Sequence, residues 1–272
     1  MRKFRFFSAG YLAACLALGA ANGLAEPDAG AGVSEFKQMA ANPEEARLAA
    51  LLEKGMSAYE GLRDYRAVFH KQENSNGRPG PVEKIYLKFE KPFKIFLGWM
   101  NTQKKGLQVF YERGRHDGKL AVHTPGILSA VRPVIFLDQD SPWVRAGSAS
   151  YDIEDAGIGT FLYDFVGAVL HAARERKLRV IFSEKKSAGD LDGDRVDVIF
   201  RNSRKSSIYF AYRVRVIFDG KTGLPVQMEL FDWENRPTGI YAYRDLKLNV
   251  GLDGEFKRLI NKHLLKVYNH SQ

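Results

Sequence analysis

The stretch from Glu83 to Gly126 decides the fold; it reads EKIYLKFEKP, FKIFLGWMNTQKKG, LQVFYERGRHDG and KLAVHTPG. Each of these four runs alternates apolar and polar residues, which is the period of a half-buried β-strand. In the first run, Ile85, Leu87 and Phe89 point to one side and their polar neighbours point to the other. The turn signals between the runs are Pro92 and residues 101–106 and 113–118. The stretch therefore predicts an antiparallel meander with one aromatic, apolar face.

Further strand patterns lie on both sides of the meander. They cover Tyr65–Glu73, Leu178–Ser183, Arg195–Arg201, Ile208–Phe218, Val226–Trp233 and Ile240–Leu248. Together with the meander they make about ten strands. Helical segments separate these strands into two blocks. No obvious domain linker lies between the two blocks. The predicted fold class is therefore α+β, with a single curved antiparallel sheet that forms an open half-barrel and helices packed on its concave face.

Three helices are predicted around these strands. The first begins at Asn42, which is an N-cap followed by Pro43 and two acids, and ends near Gly61. The second covers Gly157–Arg176 and has a strong apolar face. A C-terminal amphipathic helix is expected at 253–270, with basic residues on its polar side. Residues 42–272 thus form one predicted domain.

The N-terminus has the composition of a targeting segment. Residues 1–25 combine a basic start, an apolar core and small residues before Ala25, which predicts a signal peptide cleaved between Ala25 and Glu26. Two alternatives stay open: a retained membrane helix, or lipidation of Cys15 in the lipobox-like sequence LAAC. Residues 26–41 are small and polar, which predicts a flexible tether. The expected location is the periplasm, either free or anchored through Cys15.

Composition narrows the possible partners. Cys15 is the only cysteine, so the mature domain has no disulfide and depends on its core. The net charge is +9, and removal of the signal peptide takes away three basic residues and no acidic one. A basic secreted surface suits anionic lipid head groups or glycans. Nucleic acid is not expected as a partner, and membrane contact is expected to be peripheral at most.

No catalytic or metal motif is present in the sequence. The six histidines are scattered, without paired ligand spacing, and no cofactor is predicted. The acidic run at 190–194 resembles a calcium loop only faintly and is interpreted as a hairpin turn. The candidates for a hydrolase would be His116, Asp117 and His123, and this is the least favoured hypothesis.

Two motifs near the C-terminus resemble a known family. DGKTGLPVQMELFD at 219–232 and YAYRDLKLN at 241–249 are similar to the C-terminal half of LolA-like outer-membrane lipoprotein-sorting proteins. LKFEKPFKIFLGW at 87–99 resembles strands of the same family, while DQDSP at 138–142 and EDAGIG at 154–159 look closer to an uncharacterised secreted branch, a domain of unknown function. The resemblance implies an open half-barrel plugged by helices. It also implies a carrier of lipids or acylated proteins, although related modules sense envelope components instead. The insert at 127–150 departs from the sorting proteins.

These observations predict a non-enzymatic carrier or binding protein for a lipid or an acylated lipoprotein. An acyl chain needs a dry apolar cleft, because each buried methylene contributes about 0.8 kcal/mol. The candidate lining residues are Leu87, Phe89, Phe96, Trp99, Phe110, Trp143, Phe161 and Phe165. For each of them, plain core packing is the alternative. A second hypothesis is an envelope sensor or interaction module that uses the same fold without a bound lipid and binds an envelope protein.

Overall fold

A computed structural model describes residues 29–75, 78–126, 134–141, 153–183, 192–201 and 209–256. The predicted signal peptide, Cys15, Trp143, most of the 127–150 insert and residues 257–272 lie outside them. The described helices are α1 (Ala29–Met39), α2 (Pro43–Glu60) and α3 (Ile158–Arg174), with 3-10 turns at His116–Gly118 and Ile153–Asp155. Among the described residues, no helix has both the length and the apolar character needed to cross a bilayer.

The described strands belong to one open, antiparallel sheet of twelve strands in the order β7-β6-β5-β4-β3-β1-β12-β11-β10-β9-β8, with β2 against β1. They are β1 (Asp64–Ser75), β2 (Arg78–Pro79), β3 (Glu83–Glu90), β4 (Lys94–Trp99), β5 (Gln108–Glu112), β6 (Leu120–His123), β7 (Ile135–Leu137), β8 (Leu178–Phe182), β9 (Gly193–Phe200), β10 (Arg213–Asp219), β11 (Pro225–Phe231) and β12 (Pro237–Leu248). The predicted α+β class with an open antiparallel sheet is confirmed. The short strands β2 and β7 are the two that the sequence did not predict.

The described part of the chain groups into two compact units. Unit 1 comprises Met1–Tyr59 and Ile158–Thr238, and unit 2 comprises Glu60–Gly157 and Gly239–Gln272. Unit 1 contains the three helices and β8 to β11. Unit 2 contains the meander of β3 to β6 together with β1, β2, β7 and most of β12.

The segment predicted as a flexible tether is instead helical in α1. Val33 and Phe36 are 2% and 1% exposed, so this helix contributes two side chains to the core of unit 1. A Cβ on Gly32 would make ordinary van der Waals contact with Val166 of α3 at 3.5 Å. Arg174 of α3 also forms a double hydrogen bond to Glu35. Tertiary packing therefore overrides the weak helix propensity of a glycine-rich segment.

The predicted N-cap of the next helix is confirmed. Asn42 Oδ1 accepts the backbone N–H of Glu45 at 2.9 Å, and Glu45 Oε2 accepts the backbone N–H of Ala41 at 2.9 Å. The bond to Asn42 satisfies a donor that a helix N-terminus otherwise leaves unpaired, and the bond to Ala41 fixes the residue before the cap. Along α2, Leu48, Leu52 and Met56 are buried, as their helical spacing predicted.

Helix α3 packs its apolar side against the strands and helices of unit 1. Ile158, Leu162 and Phe165 are all fully buried. Gly159 lies against the ring of Tyr59, where no larger side chain fits. By contrast, Gly167 is exposed, and a Cβ added there would meet no described atom within 4 Å. Gly159 is therefore a packing residue.

The meander of unit 2 follows the predicted alternation. Ile85, Leu87 and Phe89 are at most 2% exposed, which confirms the buried side of β3. The other side of β3 is also covered, since Lys88 is only 8% exposed. The C-terminal segment contributes to that cover, because Glu255 contacts Lys88.

Candidate apolar site of unit 2

The structure places the predicted lining residues in two units. Leu87, Phe89, Phe96, Trp99 and Phe110 belong to unit 2, whereas Phe161 and Phe165 belong to unit 1. Phe161 and Phe165 stack with ring centroids 5.3 Å apart, and Phe165 is fully buried. Phe161 is partly exposed and contacts Phe210 edge-on at 6.5 Å. Trp143 lies outside the described residues.

Strand register separates the five candidates of unit 2 onto opposite faces. Leu87 pairs with Leu97, and Lys88 pairs with Phe96, so Leu87 and Phe96 point to different sides. Phe96 in turn pairs with Phe110. Leu87, Phe89 and Trp99 therefore share one face, and Phe96 and Phe110 share the other. The structure does not bring all five together.

The face that holds Leu87 and Phe89 continues across β1 and β12 as a ladder of aromatic rings. We call it the aromatic face, and it consists of Tyr65, Phe69, Ile85, Leu87, Phe89, Trp99, Tyr111, Tyr241 and Tyr243. Tyr65 stacks on Phe89 at 5.1 Å, and Phe69 lies 5.0 Å from Tyr243 and 6.3 Å from Tyr241. Such pairs are favourable beyond the area that they bury.

One end of the aromatic face is only partly covered. Phe69, Trp99 and Tyr241 are of intermediate exposure, although their neighbours Tyr65 and Ile85 are buried. Charged groups border this end. The Tyr241 hydroxyl donates to Glu73 at 3.1 Å, and the Trp99 indole N–H donates to Glu83 at 3.1 Å. Partly open rings beside charged groups suit an apolar ligand with a polar head.

Sequence reasoning missed Phe69, Tyr241 and Tyr243 as candidates. The alternation in β1 and the pattern YAYRD placed each on one side of a strand, but not on the same side as Leu87. Their common face follows from the register, in which Phe69 pairs with Ile85 and with Tyr243.

The other end of the aromatic face is covered by residues 153–157. The Tyr111 hydroxyl donates to Glu154, and Arg113 lies 3.5 Å from the same carboxylate. Burial, and then the hydrogen bond to Glu154, raises the pKa of Tyr111 to about 12. Gly157 has φ +137 and lies over Tyr65 and Phe89, where a side chain would be strained. Glu154 therefore anchors this segment to Tyr111 and Arg113.

On the opposite face, the C-terminal segment covers Phe96 and Phe110. Leu252 and Phe256 are fully buried and pack in one cluster with Phe96 and Phe110. The Asp64 carboxylate accepts backbone N–H groups of residues 250–252 at 2.7–3.3 Å. Residues 253–256 are helical, at the start of the predicted C-terminal helix.

Titration of His70 should reveal how this opposite face is packed. Burial, followed by repulsion from Arg244 and Lys84, lowers the pKa of His70. Because the unfolded chain binds this proton more readily, the His70 contribution is complete above about pH 6.5 and is lost as the pH falls. We expect the urea midpoint to decline below pH 6.5 less steeply in His70→Gln than in the parent. Parallel pH profiles would contradict this assignment.

Within the described residues, the three side chains considered for a hydrolase do not form a recognisable catalytic site. His116 and Asp117 occupy a 3-10 turn, and His123 ends β6. The His116 ring packs on Phe136 at 5.0 Å. Within the described ranges, no three His, Cys, Asp or Glu side chains come together as a metal site requires.

Comparison with solved structures finds matches that cover most of this chain. A Nitrosomonas europaea LolA superfamily protein is 11% identical, covers 76% of this chain and 96% of its own, and has a TM-score of 0.32. The Mycobacterium tuberculosis lipoprotein LppX is 8% identical over 76% and 98%, with a TM-score of 0.45. A Vibrio parahaemolyticus domain assigned to outer membrane lipoprotein sorting is 13% identical over 77% and 97%, with a TM-score of 0.36. A LolA superfamily protein is thus among the structures that this chain resembles, as its motifs predicted.

Family comparison identifies the chain more specifically. Residues 62–259 match the family described as "Protein of unknown function (DUF1571)". The chain belongs to this family. The prediction of a branch formed by a domain of unknown function is therefore confirmed. No curated protein matches the sequence.

Proposed function

We propose that the protein is a periplasmic, non-enzymatic carrier or binding protein for an acyl-bearing ligand, either a lipid or a lipoprotein. The observation that supports this most directly is the partly open end of the aromatic face, with Phe69, Trp99 and Tyr241 exposed to an intermediate degree. Large apolar rings that are left partly uncovered in this way are typical of sites for apolar ligands.

The chemistry of this end matches an amphiphile. The rings offer apolar contact to a hydrocarbon chain, for which the free energy of transfer from water is about 0.8 kcal/mol per methylene. Glu83 and Lys104, whose charged groups are 2.7 Å apart, lie beside Trp99. They can contact a polar head group. A ligand held mainly by apolar contact can be released without breaking a specific polar network, which is useful in a carrier.

Lipid extraction of the purified full chain, followed by mass spectrometry, tests the proposal. We expect an acyl-bearing molecule to copurify, and a fluorescent fatty acid to bind the delipidated protein. Absence of both would overturn the proposal, and binding of an envelope protein without lipid would favour the sensor hypothesis. Mass spectrometry of the intact protein measures the mature N-terminus: Glu26 would support a free periplasmic protein, and an acylated Cys15 would support an anchored one.

Substitution at the partly open end should weaken ligand binding specifically. We expect Phe69→Ala to lower the affinity for the fluorescent fatty acid about tenfold, because it removes roughly 1.4 kcal/mol of apolar contact. Tyr212 of unit 1 is also aromatic and partly exposed, so Tyr212→Ala serves as the matched control and should bind as the parent does. Equal affinities in the two variants would exclude the aromatic face as the site.

A further inference from the structure

A second apolar cluster of unit 2 lies on the face opposite the aromatic face. It consists of Phe96, Phe110, Ala121, Val134, Leu252 and Phe256, with Tyr86 and Phe136 packed against it. The strand residues among them form an aromatic floor. Within the part of the segment that the structure describes, Leu252 and Phe256 cover this floor, and both are fully buried. The Phe256 ring lies 5.9 Å from the ring of Phe110.

A nearly buried lysine lies at the border of this floor. The Lys88 side chain is 10% exposed, and its Nζ lies 2.6 Å from Glu255 Oε2. The same Nζ lies 5.3 Å from the ring of Tyr86 and 5.8 Å from that of Phe96. A charged ammonium so poorly solvated is costly unless it is paired. Among the described residues, the carboxylate found beside it comes from the C-terminal segment.

Glu255 and Phe256 therefore present an anion and an apolar group side by side. The anion contacts a lysine, and the apolar group enters an aromatic floor. A long-chain carboxylate likewise joins an anionic group to an apolar group. The segment itself exposes Asp253 and Gly254 to solvent. Among the residues that the structure describes, its contacts are those of Leu252 and Phe256, the ion pair, and the bonds from residues 250–252 to Asp64.

We propose that this floor is a second acyl-binding site, specific for a long-chain carboxylate, and that residues 255–256 occupy it in the absence of ligand. The fatty acid carboxylate replaces that of Glu255 on Lys88, and its chain replaces the Phe256 ring against Phe96 and Phe110. The proposal shares its ligand class with the proposed function but uses a different face and different residues.

The test measures dodecanoate binding by calorimetry in full-length variants that all carry Phe69→Ala, so that binding at the aromatic face is weakened equally in each. We expect Glu255→Gln to raise the affinity about fivefold, because the neutral amide competes less well for Lys88. Glu255→Gln combined with Phe256→Ala should raise it by tenfold or more. Adding Lys88→Met should abolish both gains, and uncharged dodecanol should show no dependence on Lys88.

Three results would overturn the proposal: unchanged affinity in Glu255→Gln, a gain that persists without Lys88, or an equal gain for dodecanol. Circular dichroism verifies that each variant is folded. If the double variant is unfolded, the single change Glu255→Gln still decides the question, because it keeps both apolar anchors. Failure of the proposed function appears separately, as a fatty acid affinity that does not depend on Phe69 in the otherwise unchanged chain.

Discussion

Replacing Gly159 with alanine is expected to destabilise the protein by about 3 kcal/mol, since overpacking a well-filled core costs roughly 1–3 kcal/mol and here meets a ring. An added Cβ would overlap Cζ and Oη of Tyr59, and Tyr59 is 2% exposed, so its ring has little room to move. Thermal or urea unfolding would measure the loss. Tyr59→Phe should not relieve it, because Cζ remains.

Gly167 supplies the matched control on the same helix. It is exposed and has open space around it, so alanine meets no neighbour there among the described residues. Because alanine is a better helix former than glycine, Gly167→Ala should stabilise the protein by about 1 kcal/mol. Similar effects of the two substitutions would mean that α3 does not pack against Tyr59 as described.

Asp64→Ala is also expected to lower the free energy of unfolding by about 3 kcal/mol. The Asp64 side chain accepts N–H groups from Val250, Gly251 and Leu252, and Asp64 is only 4% exposed. Hydrogen bonds to a charged acceptor contribute about 1.5–3 kcal/mol, and unpaired buried donors add a further penalty. Asp64→Asn should lose less, because one oxygen still accepts.

Asp138 is a suitable comparison for this change. Its carboxylate is 65% exposed and lies 3.9 Å from Lys119, an arrangement that contributes about 0–1 kcal/mol. Asp138→Ala should therefore leave the urea midpoint nearly unchanged. Hydrogen exchange at residues 250–252 would localise the Asp64 effect, and unchanged protection there in Asp64→Ala would contradict it.

Sequence patterns predicted the elements well where the signal is local. The N-cap Asn42 followed by Pro43 marked the start of α2, and period-two alternation marked β3. The helix at residues 29–39 was not predicted, because Val33 and Phe36 are stabilised by contacts with residues far away in the sequence. A segment with few apolar residues and two glycines looks unstructured until its partner is known.

The sequence predicted an apolar face on the meander but not which of the candidate residues share it. Aromatic residues of the meander do form an apolar face, yet Leu87 and Phe96 lie on opposite faces of the sheet. A list of aromatic residues near one another in sequence cannot separate the two sides of neighbouring strands. The register separates them, and it also adds Phe69 and Tyr243 to the face.

By itself, the sequence determined ten of the described strands, the starts of α2 and α3, and the alternation of the meander, because alternation and capping depend on neighbours within a few residues. Only the tertiary structure decided which segment of the chain covers each face of the meander. The bond from Val250 to Asp64 joins positions 186 residues apart, and no local pattern specifies such a pairing. Its physical basis is a buried carboxylate that needs donors, which the folded C-terminal segment provides.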